Sequence, residues 1–299
     1  MRAIIAGGTG FIGRHLSAEL VAHGWEVVIL SRSPSKVAET FHSGVIGMPW
    51  DNGWTEFLDD ASVIVNLAGS NIASGRWNES VKERILSSRI RAGQRIVETI
   101  RNSERKPAAL IQGSAVGFYG PRNDNPVDES TESGTGFLAS VTREWEASTR
   151  ELEDLGVRRA VIRTGMVLGH GGALERMLPP FRLFAGGPVG SGRQGVSWIH
   201  MLDQVRAIRF LMETDSASGP YNLTAPTPVN FRKFARTLGE AMRRPSWLPA
   251  PAFALRLLFG EMADEVLLSG QLALPSRLLE AGFEFRFPEL APALQDLLD

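Results

Sequence analysis

A glycine-rich turn at the start of the chain has the spacing of an anion-binding loop. It runs from Gly7 to Gly13, directly after the apolar segment Ala3–Ala6 and at the start of a helical pattern. Spaced glycines allow a tight strand-to-helix turn, a close backbone approach to a pyrophosphate and close packing of the helix. Amides at the helix N-terminus attract the anion. The predicted dinucleotide contacts in this turn are Gly7, Thr9, Gly10, Phe11, Ile12 and Gly13.

The end of the second predicted strand indicates which dinucleotide is bound. Glu26–Leu30 leads into Ser31-Arg32-Ser33. Sites for NAD usually have Asp or Glu here to bind the ribose 2′-hydroxyl, whereas NADP sites have a cation for the 2′-phosphate. Arg32 stands at this point without a carboxylate beside it, and Lys36 follows one turn later. The alternative is a solvated arginine, but the pattern favours NADP(H) bound by Ser31 and Arg32.

Motifs along the rest of the chain resemble those of the extended, epimerase-type short-chain dehydrogenase/reductase superfamily. They are the glycine turn, Asn66-Leu67-Ala68-Gly69, Ser114 after the fifth predicted strand, the run Arg163–Gly169, Ser197-Trp198-Ile199-His200 and Tyr221-Asn222-Leu223. A narrower resemblance is to an atypical branch of epimerase-like, cell-division-inhibitor-like proteins. It rests on Gly75-Arg76-Trp77, Ser88-Arg89 and the tail pattern from Leu268 to Phe283.

The resemblance implies further contacts beyond the glycine turn. On the cofactor side these are Asn66, Leu67, Ala68, Gly69, Arg89, Ser114, Arg163, Gly165 and Val167. Relatives bind nucleotide sugars by aromatic stacking and arginine–phosphate pairs. The corresponding substrate-side candidates are Arg76, Trp77, Arg193 and Trp198, with a core role as the alternative for Trp198.

The catalytic pair of that superfamily is absent. Its members place a proton-transferring tyrosine and a lysine four residues apart on one helix. The only two tyrosines here, Tyr119 and Tyr221, are followed four residues later by Asn123 and Ala225. When Glu146 is aligned with the glutamate of relatives, Leu138 and Thr142 occupy the tyrosine and lysine positions. Ser114 and Tyr119 remain as catalytic candidates, each with a structural alternative.

Other groups suited to acid–base or metal chemistry are weaker candidates. Asp128-Glu129 fits a solvated loop, and His200 fits a structural histidine between a strand and a helix. No metal is expected, because the histidines lack ligand spacing and the chain has no cysteine. The histidines are His15, His23, His42, His170 and His200.

The elements that would position these residues alternate between strand and helix. That order predicts a Rossmann-type α/β fold with a doubly wound parallel sheet. We expect an NADP-binding domain over residues 1–170, with residues 195–225 returning to the sheet. A substrate-side region over 171–299 would include an epimerase-like tail from about residue 247. Pro179, Pro180 and several glycines predict loop and short strand after residue 170, and Phe283–Phe287 is expected to be extended between two tail helices.

Bulk composition limits the possible partners. The chain has 299 residues, 43% of them hydrophobic, and a formal net charge of −1. That net charge gives no electrostatic case for nucleic acid or an anionic membrane. No run approaches the roughly 18 apolar residues of a membrane span, so a cytoplasmic protein is expected. Two hypotheses remain: an NADP(H)-dependent oxidoreductase or epimerase-like enzyme with an unknown small-molecule substrate, or a dinucleotide-binding regulatory protein that a protein partner recognises.

Overall fold

A computed structural model describes residues 1–41, 43–50, 53–59, 62–73, 75–122 and 125–299. Two residues named above, His42 and Asn123, lie outside the described residues.

Seven parallel strands form the central sheet: β1 (Arg2–Ala6), β2 (Glu26–Ser31), β3 (Val45–Pro49), β4 (Ser62–Asn66), β5 (Ala109–Ala115), β7 (Arg158–Thr164) and β11 (Gly219–Leu223). Their order across the sheet is β11-β7-β5-β4-β1-β2-β3. The fold is therefore the predicted Rossmann-like α/β arrangement. Short pairs outside it involve β6 (Pro126–Val127), β8 (Met166–Leu168), β9 (Gly195–Val196), β10 (Trp198–His200), β12 (Val229–Asn230) and β13 (Leu272–Ala273).

Helices cover both faces of the sheet, because alternate residues of its buried strands are apolar on each side. The helices are α1 (Phe11–Ala22), α2 (Pro34–Thr40), α3 (Glu79–Asn102), α4 (Phe137–Ala147), α5 (Ala173–Arg182), α6 (Met201–Glu213), α7 (Phe231–Met242), α8 (Ala252–Phe259), α9 (Ser276–Glu280) and α10 (Leu290–Leu298). Ile5 and Ile29 pack with α1 and α6, whereas Ile4 and Ile64 pack with α3.

Strand order reverses at β1, which lies between β2 and β4. In open α/β sheets a crevice forms outside the carboxyl ends of the strands at such a switch point. The glycine turn follows β1, Arg32 follows β2, and the Asn66–Gly69 segment follows β4. The topology therefore brings the predicted cofactor residues to one edge of the sheet.

The region after residue 170 contains more helix than we expected. Pro179 and Pro180 lie inside α5, whose buried residues Leu174, Leu178 and Phe181 repeat at helical spacing. Both prolines are exposed near its C-terminal end, where a lost backbone donor is tolerated because the apolar face holds the helix. The tail has three α-helices and a π-helical turn over Ala263–Leu267 instead of two helices, and no strand forms over Phe283–Phe287. A second core cluster joins α5, α7 and α10.

Candidate functional site

The glycine turn has the backbone shape that a phosphate site needs. Gly7 is left-handed, with φ 84°, and a Cβ on it would lie 2.8 Å from the backbone of Leu67. A Cβ on Gly13 would lie 2.4 Å from the carbonyl oxygen of Gly7. A Cβ on Gly10 would meet only that carbonyl oxygen, at 3.1 Å, so the space in front of Gly10 is open to a ligand. Gly10 is also the N-cap of α1 and provides no side-chain cap.

Residues around this turn pack it against the neighbouring strand ends. Leu67 donates its amide to Ala6 O at 2.8 Å. The Phe11 ring lies against the loop after β8, where a Cβ on Gly172 would come within 2.6 Å of it. Thr9 is exposed, and Ile12 is half-buried against the core. The turn is therefore held rigidly while its outer surface stays open.

The end of β2 leaves a cation free. Arg32 is exposed and makes no hydrogen bond or ion pair with any residue that the structure describes. Ser31 accepts a hydrogen bond from the amide of Ser33 at 3.1 Å, which shapes the bend before α2. Arg32 is therefore available to an anion at the edge of the crevice.

Hydrogen bonds from partly or fully buried side chains hold the segment after β4 in place. Asn66 is fully buried; its amide group donates to Gln112 at 3.0 Å, and its oxygen accepts from Ala68 N at 3.3 Å. Arg89 on α3 donates to Ser70 O at 3.1 Å, and burial lowers the pKa of its guanidinium to about 10. A Cβ on Gly69 would meet the Arg89 guanidinium carbon at 2.9 Å. Asn66 and Arg89 therefore support the loop, and Leu67, Ala68 and Gly69 form its surface.

A buried polar network lies behind the crevice at the end of β5. Ser114 Oγ donates to Glu146 Oε1 at 2.6 Å. Arg163 binds both oxygens of the same carboxylate, at 2.9 and 3.1 Å, and also donates to Tyr119 Oη at 3.1 Å. Burial alone would lower the pKa of Arg163, but its bonds to Glu146 raise it above the ordinary value. From the sequence, Glu146 served only to align this helix with relatives and was not predicted as a site residue. Its position on the helix that carries the superfamily's catalytic pair was the signal that could have identified it.

Two interpretations drawn from the sequence change here. Tyr119 is fully buried, and its hydroxyl donates to Asn222 Oδ1 at 2.7 Å while accepting from Arg163, which favours the structural alternative. Arg163 binds Glu146, and its guanidinium carbon lies 3.4 Å from the Phe118 ring centroid, so protein contacts occupy the guanidinium for which the resemblance implied a cofactor contact. Burial raises the pKa of the Tyr119 phenol.

Glu129 is buried, which corrects the expectation of a solvated loop carboxylate. It accepts a hydrogen bond from Asn222 N at 2.8 Å, and burial raises its pKa. The pKa of the neighbouring Asp128 shifts in the opposite direction, because hydrogen bonds from Ser130 and Thr131 lower the pKa of its carboxyl.

Helix α4 shows what stands in place of the absent pair. Thr142 is buried and donates to the carbonyl oxygens of Leu138 and Ala139 at 3.0 and 2.9 Å. Leu138 packs in an apolar cluster with Phe137 and Val141. Glu265 of the tail accepts from the amide of Leu138 at 3.1 Å at the N-terminus of this helix. Leu138 and Thr142 therefore carry no acid–base group.

The substrate-side candidates separate into two exposed arginines and two buried tryptophans. Arg76 donates to Leu257 O at 3.4 Å, and Arg193 is exposed on the loop before β9. Trp77 is 7% exposed and donates to Ile72 O. Trp198 is 0% exposed and donates to Thr227 O, so it has no free face for stacking and its core alternative is favoured.

The remaining candidates have structural positions. Gly165 packs against Ser197, the residue before β10, where a Cβ would lie 2.3 Å from Ser197 O, and Val167 is buried in the main core. His200 is buried, caps α6 by accepting from Leu202 N, and lies 3.3 Å from Asp296, as expected of a structural histidine. Among the described residues, no group of side chains could hold a metal ion. No helix in the same part of the chain is long and apolar enough to cross a membrane.

Comparison with known proteins shows which family this chain belongs to. The chain is 41% identical to an Arabidopsis thaliana protein, "Epimerase family protein SDR39U1 homolog, chloroplastic", over 100% of this chain and 87% of that protein. It is 38% identical to the Bacillus subtilis "Epimerase family protein YfhF", over 100% and 98% of the two chains. The crystal structure of human epimerase family protein SDR39U1 (isoform 2), solved with NADPH, aligns with a TM-score of 0.91 at 36% identity, covering 100% and 99%.

Two family models match the chain in sequence. Residues 250–297 match a domain of unknown function, DUF1731. Residues 3–224 match the NAD dependent epimerase/dehydratase family. With that match and those relatives, the chain is a member of the NAD-dependent epimerase/dehydratase family, in its epimerase-like branch.

Proposed function

We propose that this protein binds NADP(H) in the crevice at β1 and acts on a hydroxyl or carbonyl group, with Ser114 and Glu146 handling the proton. The observation that carries the proposal is the 2.6 Å hydrogen bond from Ser114 to Glu146. It provides a proton acceptor at the end of β5, on the same edge of the sheet as the glycine turn. The absent tyrosine and lysine make such a replacement necessary for chemistry.

The residues present fit the cofactor. An uncapped helix N-terminus, the open space at Gly10 and the unpaired Arg32 match a pyrophosphate and a 2′-phosphate. The human relative was solved with NADPH, which supports the same choice here. We therefore assign the pyrophosphate to residues 7–13, the adenosine phosphate to Arg32, and the flanking surface to Leu67, Ala68 and Gly69.

Ser114 and Glu146 would form a short proton relay. When bound, the nicotinamide supplies or accepts a hydride. Ser114 Oγ orients the substrate oxygen; in the oxidative direction it accepts the hydroxyl proton while its own proton passes to Glu146 Oε1. The reverse transfers return the proton during reduction. A positioned acid–base group of this kind contributes roughly 10²–10⁴-fold.

Arg163 would act as a positioning residue for this relay. It holds both carboxylate oxygens of Glu146, which fixes the Oε1 lone pair towards Ser114. A charge-assisted bidentate pair of this type is geometrically specific. Tyr119 in turn holds Arg163 by accepting a hydrogen bond from Nη1, the guanidinium nitrogen that does not bind Glu146.

We also propose the domain division that the sequence predicted. The sheet and crevice of residues 1–170 would bind the cofactor, and the region over 171–299 would cover the substrate. The exposed Arg76 and Arg193 would bind the anionic part of that substrate, whereas the burial of Trp77 and Trp198 argues against stacking.

Two measurements test the proposal. Calorimetric titration should give binding of NADPH, and a screen of carbonyl compounds and sugar nucleotides should give turnover above the decay of NADPH itself. On any active compound, loss of turnover in Ser114→Ala and Glu146→Gln supports the relay, and full activity in both variants contradicts it.

The regulatory function is the second candidate, and the apolar Leu138 with the self-bonded Thr142 favours it. A regulatory protein would give different results in these experiments from those expected of an enzyme. NADPH would raise the melting temperature, no compound would turn over, and a partner protein would distinguish the NADPH-bound form from the free form.

A further inference from the structure

Large apolar side chains are exposed where α5 and α7 end. Leu183 is 77% exposed and Phe184 60%, and Trp247 and Leu248 are 72% and 44% exposed. Single exposed apolar residues are ordinary, but a group of them marks an interaction site. We name as the basic apolar surface the residues Arg182, Leu183, Phe184, Arg243, Arg244, Trp247 and Leu248.

Two segments of this surface are joined in the fold. Leu248 donates its amide to Gly186 O at 3.1 Å, so the chain after α5 runs beside the chain after α7. The guanidinium of Arg244 lies 4.6 Å from the centroid of the Phe184 ring. Helix α8 follows directly, and Phe253 and Leu257, one turn apart on it, are each 73% exposed. No residue of α8 is buried.

Backbone strain is concentrated at the same place. Phe184 has φ 59° and Arg243 has φ 54°, and they are the only non-glycine residues with positive φ in the described part of the chain. Each follows a helix whose last carbonyls are satisfied in a Schellman pattern, where glycine is the usual residue. A phenylalanine and an arginine in these two positions are unfavourable for the backbone. Binding of a partner by the Phe184 and Arg243 side chains would explain why these residues, and not glycines, occupy the two positions.

Charge on this surface differs from that of the whole chain. The basic apolar surface contains three arginines, Arg182, Arg243 and Arg244, and no acidic residue, although the chain has a formal net charge of −1. Arg182, Arg243 and Arg244 are exposed and form no ion pair within the described residues. The net charge, from which we expected no attraction to anionic membranes, therefore conceals a local cluster of three unpaired arginines within the described residues.

We propose that the basic apolar surface binds the face of an anionic lipid bilayer. Exposed Trp, Phe and Leu side chains suit the headgroup–acyl boundary, and arginines beside them pair with lipid phosphates. A second copy of this chain is disfavoured as the occupant, because a two-fold interface would place these unpaired arginines near their own counterparts. The contact is with the surface of the bilayer and involves no spanning segment.

A labelling experiment tests the proposal directly. The chain has no cysteine, so Leu183→Cys, at the most exposed position of the basic apolar surface, can carry a single environment-sensitive fluorophore. Asn102→Cys is the matched control, because it is exposed at the C-terminal end of α3, outside that surface. Vesicles of mixed phosphatidylglycerol and phosphatidylcholine should shift the emission of the first label and leave the second unchanged. Vesicles of phosphatidylcholine alone should produce a much smaller shift, and added salt should reverse binding.

Two variants separate binding from folding. Phe184→Gly and Arg243→Gly place glycine where φ is positive, so both should fold and melt no lower than the parent protein. Phe184→Gly should weaken vesicle binding about tenfold, and Arg243→Gly about fivefold. Unchanged binding by both, or equal binding to the two vesicle types, overturns the proposal. An emission shift that depends on protein concentration without vesicles also overturns it, because it identifies a second copy as the occupant.

Discussion

Ser114 and Glu146 are joined by a 2.6 Å hydrogen bond that links the end of β5 to the penultimate residue of α4. This bond puts a carboxylate one helical turn beyond Thr142, which occupies the superfamily's lysine position. If the protein is an enzyme, Glu146→Gln should lower kcat by roughly 10²–10⁴-fold, because glutamine cannot accept the serine proton. Steady-state rates on a compound from the substrate screen measure the loss.

Glu144→Gln is the matched control, since Glu144 is exposed on the same helix. It should retain the parent kcat. Equal losses in the two variants would show a general effect on α4 and contradict the relay.

Tyr119→Phe tests whether the phenol transfers a proton or supports the fold. The hydroxyl is buried and bonded to Asn222 and Arg163, so its removal should lower the free energy of unfolding by about 1–3 kcal/mol. Denaturant titration measures this. We expect kcat to change far less than in Glu146→Gln. A hundred-fold fall in kcat with unchanged stability would instead restore Tyr119 as the proton carrier.

Gly10→Val should abolish NADPH binding while the protein remains folded. The new Cβ would meet only Gly7 O, at 3.1 Å, and the side chain would occupy the open space in front of the turn. Gly13→Val is the contrasting variant, because its Cβ would lie 2.4 Å from Gly7 O and 2.6 Å from Gly8 Cα. Calorimetry and circular dichroism should show lost binding with an intact fold for the first variant, and a destabilised fold for the second. NADPH binding by folded Gly10→Val would place the dinucleotide elsewhere.

The sequence predicted the parts of this molecule that follow from local rules. The repeated strand–helix order with continuously apolar strands predicted the parallel sheet, and the glycine spacing predicted the turn that lies at its switch point. The burial of Glu129 and Tyr119 was not predictable, because both depend on Asn222, about a hundred residues away in sequence. Helix α5 was missed because two prolines outweighed an apolar pattern whose partners, α7 and α10, lie far along the chain.

Arg32→Ala should remove the preference for NADPH over NADH. One contact between the 2′-phosphate and an exposed arginine contributes about 1.5–3 kcal/mol, or roughly ten- to a hundred-fold in affinity. Titrations with both dinucleotides measure the change, and NADH binding serves as the internal control because it lacks the phosphate. Equal affinities for NADPH and NADH in the parent protein would contradict the assignment of Arg32.

His200 should make the protein less stable in mild acid. Burial lowers the pKa of its imidazole below the usual value, although the nearby carboxylates of Asp296 and Asp203 oppose that effect. Between the lowered native pKa and the unfolded value of about 6.5, only the unfolded state binds the proton. The contribution of His200 is therefore complete above pH of about 6.5 and is lost as the pH falls through the native pKa. His200→Asn keeps an acceptor for the amide of Leu202 but does not titrate. Urea unfolding across this pH range should show a smaller loss of stability in the variant than in the parent protein, and identical slopes in the two proteins would exclude His200 as the group responsible.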